Sequence, residues 1–472
     1  MTNSSSNLQQ DFIALKLAPP VLQRHDLFRM RVVQHLNEGA SRKITLITAP
    51  EGYGKTTVAS QWASQAVQKV AWLSLDRNDN DPGKFLKNLI ASLQTVNHSI
   101  GKGIFESLQS PDKPTMEVAL KRMLDQIGME LNDFVLVLDD YHVIESPPVF
   151  NILSFIKDYL PPQMHLFIIG ETEPPLSVSS LRASDQLKEV RTPYLSFTTE
   201  EAQALFNNVM KLEVPYGDIT ALVHRSNAWP TAIKYAALCL QNAENLTEFV
   251  ADYEKNEDDP MVYLTDALLK AQDAEVGDFL SQISILDCFN ASLCNAVTGR
   301  SDSGEILKSL AERGAFLFPL SRETPWYCLH TPARKILFAA LEKDQAETIS
   351  YLNLRAALRC AQKGLIMPAF QYALNAKNFN FASELIESHS QHMLQEGELV
   401  TVSTWLNSIP EAIIKGRPML SICRAWVALI LQKMDDVETH LETAAKASQQ
   451  AANADEIAAH IDAIRGYLTA KS

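Results

Sequence analysis

The run Ala49-Pro50-Glu51-Gly52-Tyr53-Gly54-Lys55-Thr56 sets two glycines, a lysine and a hydroxyl within eight positions. Glycine tolerates backbone angles that let successive amides point at one centre, and a following helix would add its positive amino end. That is a phosphate cradle, a P-loop with Ala49 where the first glycine usually stands. At this spacing Lys55 neutralises β and γ phosphates and Thr56 offers its hydroxyl to Mg²⁺, with Gly52, Tyr53, Gly54 and Thr57 completing the binding set. Downstream, the apolar run Phe134 to Leu138 delivers Asp139 and Asp140 at its tip. Asp139 is expected to hold Mg²⁺, and Asp140 to orient or deprotonate an attacking water. The second acid favours hydrolysis over transfer to a substrate hydroxyl, as in a P-loop kinase. His142, just beyond, reads as a surface residue.

Elements of the right kind flank both motifs. Lys43 to Ala49 is apolar and β-branched, a buried strand, and the text after the glycines repeats Val58, Trp62 and Ala66 at helical spacing. Val70 to Leu75 is a second strand, followed by the polar turn of residues 76–83 and a helix with Phe85, Leu89, Ile90 and Leu93 on one face. A looser stretch with Pro111 and Pro114 leads to an amphipathic helix from Met116 to Ile127, then to candidate central strands in the runs 134–142 and 164–172. Strands alternating with helices predict a mostly parallel sheet whose ligands sit beyond the strands' carboxyl ends.

At Thr198 the texture changes. Thr198 and Glu201 form a capping box, and the chain then reads as helix to about residue 242, a helical lid. Residues 316–320 and 326–330, separated by the turn text of 321–325, predict a β-wing on a helical domain. From about 346 onward, Ala/Leu-rich helices alternate with short turns, one at Lys377 to Asn380, which fits either a TPR-like superhelix or an irregular bundle. The expected organisation is therefore multidomain, α/β plus α. It comprises an N-terminal tail (1–25), a P-loop NTPase domain with a parallel sheet (26–195), a helical lid (196–254), a winged-helix-like domain (255–345) and an incomplete TPR-like helical array (346–472).

Composition narrows the function. The 472 residues are 46% hydrophobic and 21% charged, a globular balance, and the net charge of −14 opposes attraction to phosphate backbones or anionic membranes. The six cysteines form no CxxC pair and read as reduced, mostly buried thiols. The Ser/Asn/Gln-rich start lacks a signal-peptide pattern, and no apolar stretch is long enough to span a bilayer, so a cytoplasmic protein is expected.

The motifs together resemble a family, the signal-transduction ATPases with numerous domains, and within it the MalT-like, LuxR-type bacterial activators. The resemblance covers nearly the whole chain. Its text is residues 49–57, then 70–76 with 79–82, then 136–142, 174–187, Ala228-Trp229-Pro230 and 408–420. It implies a switch between an ADP-bound closed state and an inducer-bound ATP state that self-associates, with slow hydrolysis resetting it. ATP or ADP and Mg²⁺ are the implied cofactors, with a small-molecule or protein effector at the helical array. By position, Pro230 matches the lid proline against adenine, and His330 a phosphate-sensing histidine, the other reading of His330 being a packing residue. Trp229 reads as core.

Three departures stand out. Glu171 occupies the position where the family carries an arginine near the γ-phosphate, so Glu171 turns away, Arg182 takes the role, or hydrolysis is impaired. Ala228 replaces the usual lid glycine. The family's carboxyl-terminal helix-turn-helix has no counterpart by residue 472, so no direct DNA contact is expected from this chain. A nucleotide-bound scaffold with little turnover is the alternative reading.

Overall fold

The computed structural model describes residues 14–104, 115–130, 132–241, 243, 245–314, 316–320, 326–344, 346–448 and 454–471. The Ser/Asn/Gln-rich start, Pro111, Pro114 and the 321–325 turn lie outside the described residues. The chain divides into two compact units, one of residues 1–77 and 87–352, the other of 78–86 and 353–472.

A five-stranded sheet forms the centre of the first unit: β1 (Ile44–Thr48), β2 (Lys69–Ser74), β3 (Phe134–Asp139), β4 (Met164–Gly170) and β5 (Leu187–Arg191), ordered β2-β3-β4-β1-β5. Every pairing is parallel. β3 is buried along its whole length, as its uninterrupted apolar text requires in a sheet covered on both faces. Helices α1 (Met30–Gly39) and α2 (Lys55–Ala63) lie against the sheet. Their cluster includes Val33, Leu36, Val58, Trp62, Trp72 and Phe167, with Trp62 stacked on Phe167 at 4.6 Å. Burying side chains of this size stabilises by about 1.5–3 kcal/mol each. α2 stops at Ala63, short of Ala66: the Ser64 N–H closes the last turn on Ser60 O, and the chain turns toward β2.

The Thr198 capping box forms, its hydroxyl accepting from the Glu201 N–H while the Glu201 carboxylate accepts from the Thr198 N–H, both at 3.1 Å. Helices α3 (Tyr216–Arg225) and α4 (Pro230–Leu240) follow. Between them Asn227 and Ala228 adopt φ of 49° and 57°, the left-handed region where glycine is easiest, so Ala228 tolerates a conformation that costs a β-carbon roughly 1–2 kcal/mol. A winged helical module closes the unit. Its antiparallel strands β6 (Leu317–Pro319) and β7 (Tyr327–Leu329) pair Leu317 with Leu329 and lead into α5 (Thr331–Asp344).

The second unit is helical. α6 (Ile366–Asn375) and α7 (Phe379–Gln395) are joined by a turn in which Lys377 has φ of 54°. Phe370 of α6 stacks on Trp405 of α8 (Leu399–Ser408) at 4.0 Å. Helices α9 (Pro418–Ile430), α10 (Met434–Ser448) and α11 (Ala454–Lys471) share a core that includes Ile422, Leu429, Val437, Leu441 and Ile461. Among the described residues, no helix is long and apolar enough to cross a membrane.

Candidate functional site

Beyond the carboxyl ends of β1 to β4, in the first unit, lies a cavity of ≈ 790 Å³, within the range of about 300–1,000 Å³ typical of small-molecule sites. Gly52, Gly54, Lys55, Thr56 and Thr57 line it, as do Asp139, Asp140, Glu171, Pro230 and His330. Tyr53 does not line the cavity; its ring packs on the apolar cluster beneath the sheet.

The loop has the conformation its glycines allow. Gly52 and Gly54 have φ of 78° and 72°, and Gly54 caps α2 without any side-chain hydrogen bond to the first turn. The amino end of α2 is thus left to a ligand. A β-carbon on Gly52 would lie 2.6 Å from Trp229 Nε1, so the close approach of lid and loop requires glycine there. That approach is hydrogen-bonded: Trp229 Nε1 donates to Glu51 O at 3.1 Å, and Thr231 Oγ1 donates to Gly52 O at 2.7 Å. Trp229 is therefore a half-buried clamp on the phosphate loop and not a core residue, a correction to the sequence reading.

Thr56 Oγ1 donates to Asp139 Oδ1 at 3.0 Å, which joins the loop hydroxyl to the acid at the tip of β3. Lys55 is buried, with Nζ donating to Pro50 O at 3.0 Å. Burial lowers the Lys55 pKa, against the opposing pull of Glu171, Asp140, Asp139 and Glu51. Asp139 is 1% exposed. Burial, and next the Asp140 charge, raise its pKa well above the ordinary carboxylate value, while the Thr56 hydroxyl works the other way. The Lys55 charge offsets this only in part, and hydroxyl and carboxylate oxygens are the donors a hard divalent ion takes. The residues present fit Mg²⁺ and a phosphate chain.

Asp140 sits in left-handed backbone (φ 56°), facing the cavity half-exposed. Loss of solvation raises its pKa, opposed by His142 and Lys55. His142 is no surface residue. It lines the cavity, with Nε2 3.6 Å from Glu171 Oε1 and Nδ1 4.0 Å from Asp140 Oδ1. Glu171 faces inward. Arg182 is spent elsewhere, on Glu189 at 3.0 Å and Glu173 at 3.3 Å, and does not line the cavity.

Pro230 is the first residue of α4, its preset φ suited to that position. His330 follows β7, its ring 5.1 Å from Phe318 and 6.1 Å from Tyr235. Desolvation, and then the Lys234 charge, push its pKa down to about 3, and its Nε2 is buried without a hydrogen-bond partner. The imidazole is neutral at physiological pH.

One wall was not anticipated. Residues 15–27, largely read as a tail, run along the cavity, where Val21 and Leu22 give an apolar surface. Lys234 Nζ holds this segment through Asp26 Oδ1 at 2.8 Å and Gln23 Oε1 at 3.2 Å. No periodic pattern marks this stretch, and its position depends on the partner residues of the lid.

Comparison with known proteins agrees with this architecture. The family described as "AAA domain" matches residues 38–173, and "MalT winged helix domain" matches 265–349. The HTH-type transcriptional regulator MalT of Serratia proteamaculans is 28% identical over 97% of this chain and 51% of its own length. That of Yersinia enterocolitica is also 28% identical, over 93% of this chain and 49% of its own. The chain thus spans about half the length of these curated relatives. Among solved structures, a Signal Transduction ATPase with Numerous Domains (STAND) carrying a tetratricopeptide repeat sensor, from Pyrococcus horikoshii, shares the fold. It has a TM-score of 0.66 at 13% identity, covering 96% of this chain and 66% of that one. With a P-loop sheet, a winged helix domain and a helical carboxyl-terminal region in that order, the chain is similar to MalT regulators along nearly its whole length and shares its fold with the STAND protein.

Proposed function

We propose that this chain is a nucleotide-dependent regulatory switch that binds ATP or ADP with Mg²⁺ and hydrolyses ATP slowly. The observation that carries the reading is the 3.0 Å hydrogen bond from Thr56 to Asp139 beside a buried Lys55, a hydroxyl, an acid and an ammonium at one end of one cavity. Loop amides from Gly52 to Thr57 and Lys55 would bind phosphate oxygens, and Thr56 and Asp139 would hold the cation. When bound there, Mg²⁺ would supply charge shielding for the phosphates. Asp140, raised in pKa yet open to the cavity, orients a water and takes its proton. The apolar wall of Val21, Leu22 and Pro230 suits a nucleobase, and the unpartnered Nε2 of His330 suits a phosphate oxygen in a closed arrangement.

Nucleotide and an effector at the helical array would then bias one equilibrium, each by about 1–3 kcal/mol. Control of transcription is supported by the names of the MalT relatives, and self-association in the ATP state by the family resemblance alone; the net charge of −14 gives no support to DNA contact by this stretch. Isothermal titration with ADP and ATP tests the reading: Lys55→Ala should weaken both at least tenfold, and unchanged affinity would sink it. Asp140→Asn should abolish phosphate release while leaving ADP binding intact. The inward-facing Glu171 favours a second reading, a nucleotide-bound scaffold, which stoichiometric nucleotide without turnover in the wild type would establish.

A further inference from the structure

Glu171 directly follows β4 and lines the cavity on the same side as Asp139 and Asp140. Its carboxylate lies 3.6 Å from His142 Nε2, and the other ring nitrogen of His142 lies 4.0 Å from Asp140. The imidazole is therefore bracketed by two acids. Of the charges acting on Lys55, Glu171 is the strongest, ahead of Asp140, Asp139 and Glu51. The arginines that line the cavity do not redress the balance. Arg29 binds Glu201 at 2.9 Å, and Arg334 binds Asp287 at 2.6 Å. Arg182 and Arg191 are held by Glu173 and Glu189. Glu51 is paired with Lys335, so around Lys55 and His142 the cavity sets the three carboxylates Glu171, Asp140 and Asp139.

A diphosphate and a triphosphate differ by one phosphoryl group, which carries an additional negative charge and extends beyond the β-phosphate toward the strand tips. We propose that Glu171 is a specificity-determining residue that makes this site favour a nucleoside diphosphate over the corresponding triphosphate. The inference rests on the nucleotide reading above. Repulsion between two unit charges several ångströms apart in a partly solvated cleft corresponds to about a fivefold to tenfold effect on affinity.

The test is equilibrium titration of the full chain with ADP and with a non-hydrolysable ATP analogue at fixed Mg²⁺, for wild type, Glu171→Gln, Glu171→Arg and Lys55→Ala. Glu171 is half-exposed, so removing its charge leaves packing intact. Wild type should favour ADP. Glu171→Gln should tighten the analogue about fivefold and shift ADP by less than about twofold, Glu171→Arg should tighten it further, and raising ionic strength should narrow the wild-type preference. An unchanged ADP-to-analogue ratio in both variants, or equal shifts for the two ligands, would overturn the assignment. Such an outcome is distinct from failure of the nucleotide reading itself, in which wild type would bind neither ligand in a Lys55-dependent way.

Discussion

Asp139 is a carboxylate placed where an ion is costly. Because burial and Asp140 raise its pKa in the folded chain, the unfolded chain releases the proton first, and stability falls as pH climbs from the unfolded value toward the folded one. Above that window the ionised side chain is a standing penalty that a bound cation relieves. Asp139→Asn should therefore stabilise the nucleotide-free chain by about 1 kcal/mol or more, while removing the gain in melting temperature that Mg²⁺ and nucleotide give the wild type. Thermal scans with and without Mg-ADP check both signs, and a destabilised apo variant would contradict the argument. At this scale the glycines, Lys55, Thr56 and the two aspartates were legible because each motif is contiguous. Tyr53 was not, since loop membership says nothing about which way a ring turns, and the apolar cluster below captured it. His142 looked like decoration until two acids from separate strand ends closed around it.

Among the elements, helix ends decide more than helix bodies. Asp81, 2% exposed, caps two helices with one carboxylate inside the second unit. Its Oδ1 accepts from the Gly83 and Lys84 amides at 2.9 and 3.2 Å, and its Oδ2 accepts from the Val400 and Thr401 amides at 3.1 and 3.2 Å. Losing a single cap costs about 0.5–2 kcal/mol. Asp81→Ala should accordingly cost about 2–3 kcal/mol, with Asp81→Asn intermediate, read from urea unfolding of the helical unit's tryptophan signal. A loss below about 0.5 kcal/mol would show that water replaces the carboxylate. Sequence placed a polar turn here and found the helix after it, but the second helix lies 320 residues away. The lid behaves alike: its helical text to about residue 242 was expected, whereas the grip of Trp229 and Thr231 on the phosphate loop was not.

For the first unit as a whole, Arg29 links chain segments distant in sequence. Its guanidinium is 4% exposed, donates to Leu195 O at 2.7 Å and Ser196 O at 2.9 Å, pairs with Glu201 and lies 4.7 Å over the Phe197 ring. Burial alone would raise the Glu201 pKa, but its hydrogen bonds and charge interactions with Arg29 and Arg31 hold it below the ordinary 4.5. A depressed carboxylate contributes stability that is complete above the unfolded pKa and is lost as pH falls through the folded one. Unfolding midpoints measured from about pH 6 down to about pH 3 should show this loss, and Glu201→Gln should flatten it. Arg29→Ala, which removes the hydrogen bonds to Leu195 O and Ser196 O and leaves Glu201 to Arg31, should cost about 1.5–3 kcal/mol.

By itself the sequence determined the phosphate loop, the acid-tipped strand, the parallel α/β sheet and the change to helical text after Thr198. Each of these is written within a short window, where backbone preference and hydrophobic period act on neighbouring residues. Only the tertiary structure decided that residues 15–27 wall the cavity, that Glu171 turns inward beside His142, and that Arg182 stays outside. Those outcomes depend on charges and packing surfaces contributed by distant segments, and a side chain's direction is settled by what it meets, which no local pattern encodes.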